Sequence, residues 1–300
     1  MLSHVPGHQR EVLRGILFMC VAATFVFPLI NLCAKYLTAD YAVLQIVWAR
    51  YTGHFVYTLL IFGPSRGRRL FQTKHLGLQL ARTAILPGSS VAYFMALRHI
   101  SLPMAAAINF TTPIVVTLLA IPLLNEQVGW RRWFAIFIGF AGVLIVIRPG
   151  LGAVHPSALL VLVTVACFAL YQILTRKVAR DDAPETSVTY SALGGCVLSS
   201  ISVPLVWQTP QSLLPIALFL AIGLVGAGGH FLLTKAFEHA PASVVSPLAY
   251  LQLIGAALFG YWVFGDIADR WVWIGATLIV TSGLYITYRE SLRSATTTST

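Results

Sequence analysis

Residues 104–124 read MAAAINFTTPIVVTLLAIPLL, an apolar run without a charged residue that closes on Asn125-Glu126. Wound as an α-helix, a run of this length covers about 30 Å, the hydrocarbon thickness of a bilayer. Within it stand Asn109, Thr112 and Pro113. An amide, a hydroxyl and a helix-breaking proline are costly at bilayer depth unless they face protein, water or a solute. The stretch therefore predicts a transmembrane helix that is interrupted and turns polar groups inward.

Similar runs lie on both sides of it. Upstream are Gly15–Tyr36, Ala42–Phe62 and Leu78–Ala96. Downstream are Trp130–Ile147, Pro156–Leu174, Ser187–Trp207, Leu213–Phe237, Ala242–Phe264 and Trp271–Tyr288. The connections are mostly a few residues long and leave no room for a soluble domain. Composition agrees: 57% of residues are hydrophobic and 10% charged, against roughly 25% charged in soluble domains. The expected fold is an all-α integral membrane protein with ten transmembrane helices and the lipid bilayer as its main solvent.

The formal net charge of +10 does not indicate nucleic acid, because the basic residues sit in short loops rather than on one polar face. They carry topology instead. One set of alternate loops and ends holds Arg10, Arg14, Arg66, Arg68, Arg69, Lys74, Arg131, Arg132, Arg176, Lys177, Arg180, Lys235, Arg289 and Arg293. The other holds Lys35, Arg98, Arg148 and Arg270, with Arg50 and Arg82 inside helices. This bias places both termini in the cytoplasm of a bacterial-type inner membrane. Cys20, Cys33, Cys167 and Cys196 lie in or at the ends of apolar runs without a C-x-x-C pair, so neither a disulfide framework nor a metal site is expected. Residues 1–14 are too polar for a signal sequence, and the first helix is expected to remain as an anchor.

Compared with itself at a shift of about 140 residues, the chain repeats. Ala96 falls on Ala236, His99 on His239, Glu126 on Asp266 and Trp133 on Trp273; one residue later Gly142 meets Gly283 and Arg148 meets Arg289. The shift carries five spans onto five in order. An odd number turns the second copy upside down, giving two inverted five-helix repeats. The expected organisation is a cytoplasmic segment 1–14, repeats at 15–148 and 156–288, and a disordered cytoplasmic tail 289–300.

These features resemble the EamA branch of the drug/metabolite transporter (DMT) superfamily. The marks are Ala49-Arg50-Tyr51 on the second span, Ala96-Leu97, Thr112-Pro113, Leu124-Asn125-Glu126, Gly139 and Gly142-Val143. The second half departs from the pattern: Asp266 stands where glutamate is more usual, and Leu253 replaces the proline matching Pro113, with Pro247 supplying an earlier break. The resemblance implies a central cavity lined by helices one, three, four, six, eight and nine.

Polar groups inside the spans are the candidate machinery. Asn31, Tyr93, Asn109, Thr112, Tyr171, Gln172, Tyr250 and Gln252 fall on those helices and are expected to line a solute pocket, with interhelical hydrogen bonding as the alternative. Arg50 either anchors a substrate carboxylate or phosphate, or holds the fold by reaching helix-end carbonyls or the interface. His54, one turn away, and His230, after a glycine-rich stretch, carry the side-chain type that can titrate near neutral pH. With the acidic residues at helix ends and in loops, His230 is the first candidate for a transported proton and for substrate contact. Pro28, Pro87, Pro113 and Pro247 are candidate hinges. Gly139, Gly142, Gly275 and Gly283 allow close helix approach, within the chain or in a homodimer.

No G-x-x-x-x-G-K-[ST] segment is present, so a gradient rather than ATP is expected to drive any work. A membrane-embedded enzyme would need an acid–base pair, and Glu126 and Asp266 fall on opposite faces in the inverted arrangement. The expectation is a secondary transporter without cofactor. It moves a small metabolite, an amino acid or a related zwitterionic or heteroaromatic solute, by alternating access in the export direction. The alternative is an importer of a riboflavin-like vitamin or a nucleoside cofactor.

Overall fold

The computed structural model describes residues 7–124, 129–148, 155–178, 181–239 and 246–297. Asn125 and Glu126 lie outside the described residues, as do the side chains of Pro113 and Pro247. Every regular element described is helical. The α-helices are α1 Gly7–Val21, α2 Phe27–Leu37, α3 Val43–Arg66, α4 Leu76–Leu97, α5 Leu102–Asn109 and α6 Thr112–Leu124. They continue with α7 Trp130–Ile147, α8 Ala158–Val178, α9 Pro184–Ser202, α10 Leu213–His239, α11 Gln252–Phe259 and α12 Arg270–Thr297.

Among the described residues, six helical stretches are long and apolar enough to cross a membrane: Glu11–Leu37, Leu76–Leu97, Leu102–Leu123, Ala158–Thr175, Glu185–Leu205 and Leu213–Leu233. Shorter apolar helices run Trp133–Ile147 and Leu248–Phe264. The chain is a multi-pass membrane protein. In α3 the apolar character is diluted by Gln45, Arg50, Thr52 and His54.

Three spans are irregular, each for a local reason. Between α1 and α2 the helix widens into a π turn, Ala22–Val26. Pro28 has no N–H to give the Thr24 carbonyl one turn back, so the ladder loosens there. Gly255 of α11 lies against that freed oxygen, and a Cβ at this position would sit 1.9 Å from it. The fourth span breaks at Phe110-Thr111 between α5 and α6. Pro113 cannot serve the Asn109 carbonyl; Thr112 Oγ1 donates to it instead at 2.7 Å, and Thr111 Oγ1 donates to the Ile108 carbonyl at 2.8 Å. In the ninth, α11 lies between a 3₁₀ segment, Ser246–Leu251, and a π segment, Gly260–Phe264, that ends on Gly265 at φ +66°. Pro87 behaves differently from the hinge expected there: α4 runs through it unbroken, held along its length by α8 and α9.

The packing is reciprocal. Helix α4 lies against α8 and α9, while α10 lies against α1–α2 and α3; α6 packs on α8, and α11 packs on α2. Helices α7 and α12 pair closely. Their glycines are used within the chain. A Cβ on Gly142 would meet the Gly275 carbonyl at 2.8 Å, one on Gly139 would meet Ile114 at 2.1 Å, and one on Gly283 would meet Tyr250 at 1.7 Å. These faces are therefore covered by the chain itself rather than offered to a second copy. The tail expected to be disordered continues α12 to Thr297, and no glycine or proline follows Gly283 to stop it.

Polar ties close both ends. At one, Lys35 Nζ bonds Asp266 Oδ2 at 2.5 Å while the Leu102 N–H donates to the same oxygen, so Asp266 joins α2 to the start of α5. At the other, Asp182 in the α8–α9 connection accepts from the Thr73 hydroxyl, the Lys74 N–H (3.0 Å) and the Gln79 amide (2.9 Å). Burial pushes this carboxyl up, but those donors and the charge of His75 together hold it below the usual carboxylate range. A depressed folded value means the stabilisation is complete above the ordinary range and is lost as pH falls through the folded value. Asp182→Asn is therefore expected to cost about 2 kcal/mol at neutral pH and to flatten the acid limb of the stability profile, read as detergent-solubilised thermal unfolding against pH. An unchanged acid limb would show that Asp182 does not clamp the two connections.

Candidate functional site

Helix α3 carries the central polar residues, and Gly53 lets it meet α10 closely enough to bring them onto their partners. Gly53 and Gly223 touch backbone to backbone: a Cβ on Gly53 would lie 2.7 Å from the Gly223 Cα. Next to this crossing, the rings of His54 and His230 stack with centroids 4.9 Å apart and planes 13° apart. Phe27 presents its ring to His230 at 6.3 Å in a T-shaped contact. His54 is buried, and its Nε2 has no hydrogen-bond partner.

One turn away, Arg50 Nη1 donates to Ser90 Oγ at 3.1 Å, and the guanidinium lies over the rings of Tyr51 (5.4 Å) and Phe94 (5.6 Å). Tyr51 shares a 2.8 Å hydrogen bond with the same serine. The Arg50 charge acts on His54, Tyr93 and His230. Among the described residues no carboxylate pairs with it. Arg50 thus neither snorkels nor caps a helix end: hydroxyl and aromatic groups hold it with its charge uncompensated. Such a site favours a ligand that brings an anionic group, a flat ring, or both.

The two interrupted spans supply a second group. Phe110, at the α5–α6 break, meets Tyr250 of the 3₁₀ segment edge-on, with centroids 5.1 Å apart. Asn109 Oδ1 and Tyr250 OH are both buried without partners. Buried polar atoms are rarely left so in a membrane interior, where water cannot compensate them. Three of the orphaned atoms belong to residues expected to line a pocket or carry a proton: His54, Asn109 and Tyr250.

The remaining candidates separate. Thr112 serves the broken helix through its hydroxyl. Tyr171 belongs to a different network: it accepts from Arg82 Nη2 at 3.0 Å and lies under that guanidinium at 4.7 Å. Gln172, one position round the helix, is exposed and joins neither group. Asn31 and Gln252 are half-buried on α2 and α11.

Arg82 has no role in the sequence reading, yet only 1% of it is exposed. Its Nε donates to Thr175 (2.9 Å) and its Nη1 to Gln79 Oε1, whose amide donates in turn to Asp182. The amide of Gln79 thus links a buried cation to a carboxylate it does not touch. The visible signal was Gln79 three residues before Arg82, one turn away on the same helix face. Ser90 and Phe27 were also missed, because hydroxyls and phenyl rings are ordinary in membrane helices.

Two recesses flank this architecture. One, of about 330 Å³, lies between the α3–α4 and α8–α9 connections among Arg66, Arg69, Lys74, Asp181 and Glu185. The other is a crevice of about 10 Å³ among α3, α9 and α10, reaching His230.

The profile described as the EamA-like transporter family matches the chain twice, over residues 13–148 and 155–288. The chain is 28% identical to an S-adenosylmethionine uptake transporter of Rickettsia bellii, with 77% of this chain and 79% of that one covered. It is 26% identical to a riboflavin transporter of Vibrio cholerae, with 95% and 97% covered. It is 25% identical to the pseudopaline exporter CntI of Pseudomonas aeruginosa, with 90% and 95% covered.

Proposed function

The chain belongs to the EamA-like transporter family, a family of the drug/metabolite transporter superfamily, and from that premise we propose that it is a proton-coupled secondary carrier of a small organic solute. The solute is zwitterionic or heteroaromatic and carries a carboxylate or another anionic group. One observation carries this reading: Arg50, a mid-span cation without a paired carboxylate among the described residues, set among aromatic rings and beside the stacked His54–His230 pair. An anion neutralises Arg50, and with it present the imidazole pair can take a proton that the unscreened Arg50 charge would otherwise disfavour. Solute and proton then move together.

The carrier works by alternating access between two inverted five-helix repeats, 15–148 and 156–288, ten transmembrane helices in all. The reciprocal packing of α4 and α10 against the opposite half supports that arrangement. The loop distribution of Lys and Arg favours an inner membrane with both termini in the cytoplasm. Pro28, Pro113 and Pro247 sit at irregular turns, where hinge motion costs least backbone bonding.

Import of a nucleoside-type cofactor is favoured over amino-acid export by a similar protein named for S-adenosylmethionine uptake, a solute with both a ring and a carboxylate. A riboflavin-like vitamin, for which a second similar protein is named, offers the ring without the anionic group. The pseudopaline exporter keeps export as the second reading. Proteoliposomes loaded or bathed with labelled S-adenosylmethionine, riboflavin and amino acids, with and without an imposed pH gradient, decide between them. Saturable accumulation driven by the gradient is expected for a solute with both a ring and an anionic group. Movement of none, in protein shown to be folded, would overturn the carrier reading.

A further inference from the structure

The two recesses share one residue. Glu185, on the first turn of α9, lines both the larger recess between the connections and the narrow crevice that reaches His230. From this we infer that Glu185 is the proton relay between the cytoplasmic recess and the His54–His230 pair, an inference that rests on the proton-coupled carrier proposed above.

The crevice has room for about one water, which is what a single relay step requires. Its walls are Ile61, Phe62, Val188, Ala227 and Phe231, with Thr58, Glu185 and His230 as its polar lining. Thr58 stands one turn from His54 on the same face of α3, so its hydroxyl lies along the way. Glu185 in turn lines the larger recess with Arg66, Arg69, Lys74, Asp181 and Asp182, on the face that the basic residues assign to the cytoplasm.

Among the described residues, α3 presents Arg50, His54 and Arg66 and α4 presents Tyr93; α10 adds Lys235, which lies over Phe231, and His239, which pairs with Glu11 of α1, and α2 brings the Phe27 ring. Glu185 is mostly buried, with 18% of its side chain exposed, and pairs with Arg66 at 2.9 Å. That pair gives the relay its two states. In one, Glu185 is a carboxylate held by Arg66. In the other, an imidazolium of the histidine pair has given its N–H proton to the crevice water, and that water has given one to Glu185. The neutral acid then releases Arg66 and delivers the proton to water in the recess. One proton moves, and Glu185 returns to the carboxylate.

The test compares wild type with Glu185→Gln, Glu185→Asp and Arg66→Gln in proteoliposomes, using labelled riboflavin and S-adenosylmethionine as probes. Solute counterflow at equal pH requires no net proton movement, whereas accumulation under a pH gradient does. Glu185→Gln is expected to keep counterflow within about twofold and to lose gradient-driven accumulation about tenfold, with most of it restored in Glu185→Asp and retained in Arg66→Gln. Three results would each overturn the relay: wild-type accumulation in Glu185→Gln, loss of its counterflow, or equal loss in Arg66→Gln. Failure of the carrier reading is separate, because wild type would then show no counterflow, or accumulation indifferent to the gradient.

Discussion

Replacing Arg50 by glutamine is expected to lower kcat/KM for the transported solute by about 100-fold or more while the protein still inserts and unfolds at nearly its usual temperature. Glutamine can still donate to Ser90 Oγ, so the 3.1 Å contact that ties α3 to α4 has a substitute. What it cannot replace is the charge. Losing a charge-assisted bond to an anionic ligand costs about 3 kcal/mol, and each 1.4 kcal/mol is tenfold. Arg50→Lys keeps the charge but loses the flat cation over Tyr51 and Phe94, and is expected to fall between wild type and glutamine. Counterflow kinetics beside thermal unfolding separate the roles. A glutamine variant with normal kinetics and a lowered unfolding temperature would make Arg50 a structural tie.

Gly53→Val is expected to damage both the fold and the coupling. A Cβ at Gly53 would lie 2.7 Å from the Gly223 Cα, which is backbone and cannot rotate away, and one at Gly223 would lie 2.6 Å from the Gly53 Cα. The helices must separate, and overpacking of this kind costs about 1–3 kcal/mol even where a core partly relaxes. The separation acts directly on the neighbouring His54–His230 stack. Unfolding in detergent should therefore occur at markedly lower temperature, and residual folded protein should lose its dependence on a pH gradient. Wild-type behaviour in both assays would mean that the two backbones do not touch in the membrane.

Much of this fold could be read from one dimension because the bilayer is a severe solvent. A run such as 104–124 has no lipid-compatible option but a helix, and Pro113 with its flanking threonines marks where that helix breaks. The π turn at Ala22–Val26 was less visible. Pro28 signals a disturbance, but whether a helix bends, breaks or widens depends on what fills the gap, here Gly255 of a distant helix. Pro87 gives the opposite lesson, since α4 stays continuous through it with neighbours packed on two sides.

The candidate site was legible as a set of residue types and not as a set of contacts. Nothing in the local sequence of His54 or His230 reveals that their rings meet, because the contact is made by a glycine crossing between helices far apart in the chain. Tyr171 and Gln172 looked interchangeable, and helical rotation sends one to Arg82 and the other outward. Glu185 looked like an ordinary helix-start acid, and only the recesses on either side of it give it a further role.

The pairing of α7 with α12 has a mechanical consequence. Gly142 and Gly275 bring each helix's backbone against the other's carbonyl, and the side chains of Val146, Leu278 and Ile279 close in around the contact. Rods held at the backbone and again by side chains fitted beside it resist both sliding and parting, because a shift in any direction drives close-packed atoms together. Under the alternating access proposed above, this pair is expected to move as one body rather than to open. A cross-link joining the two helices beside the glycines should therefore leave transport running, and a block of transport would show that they must part.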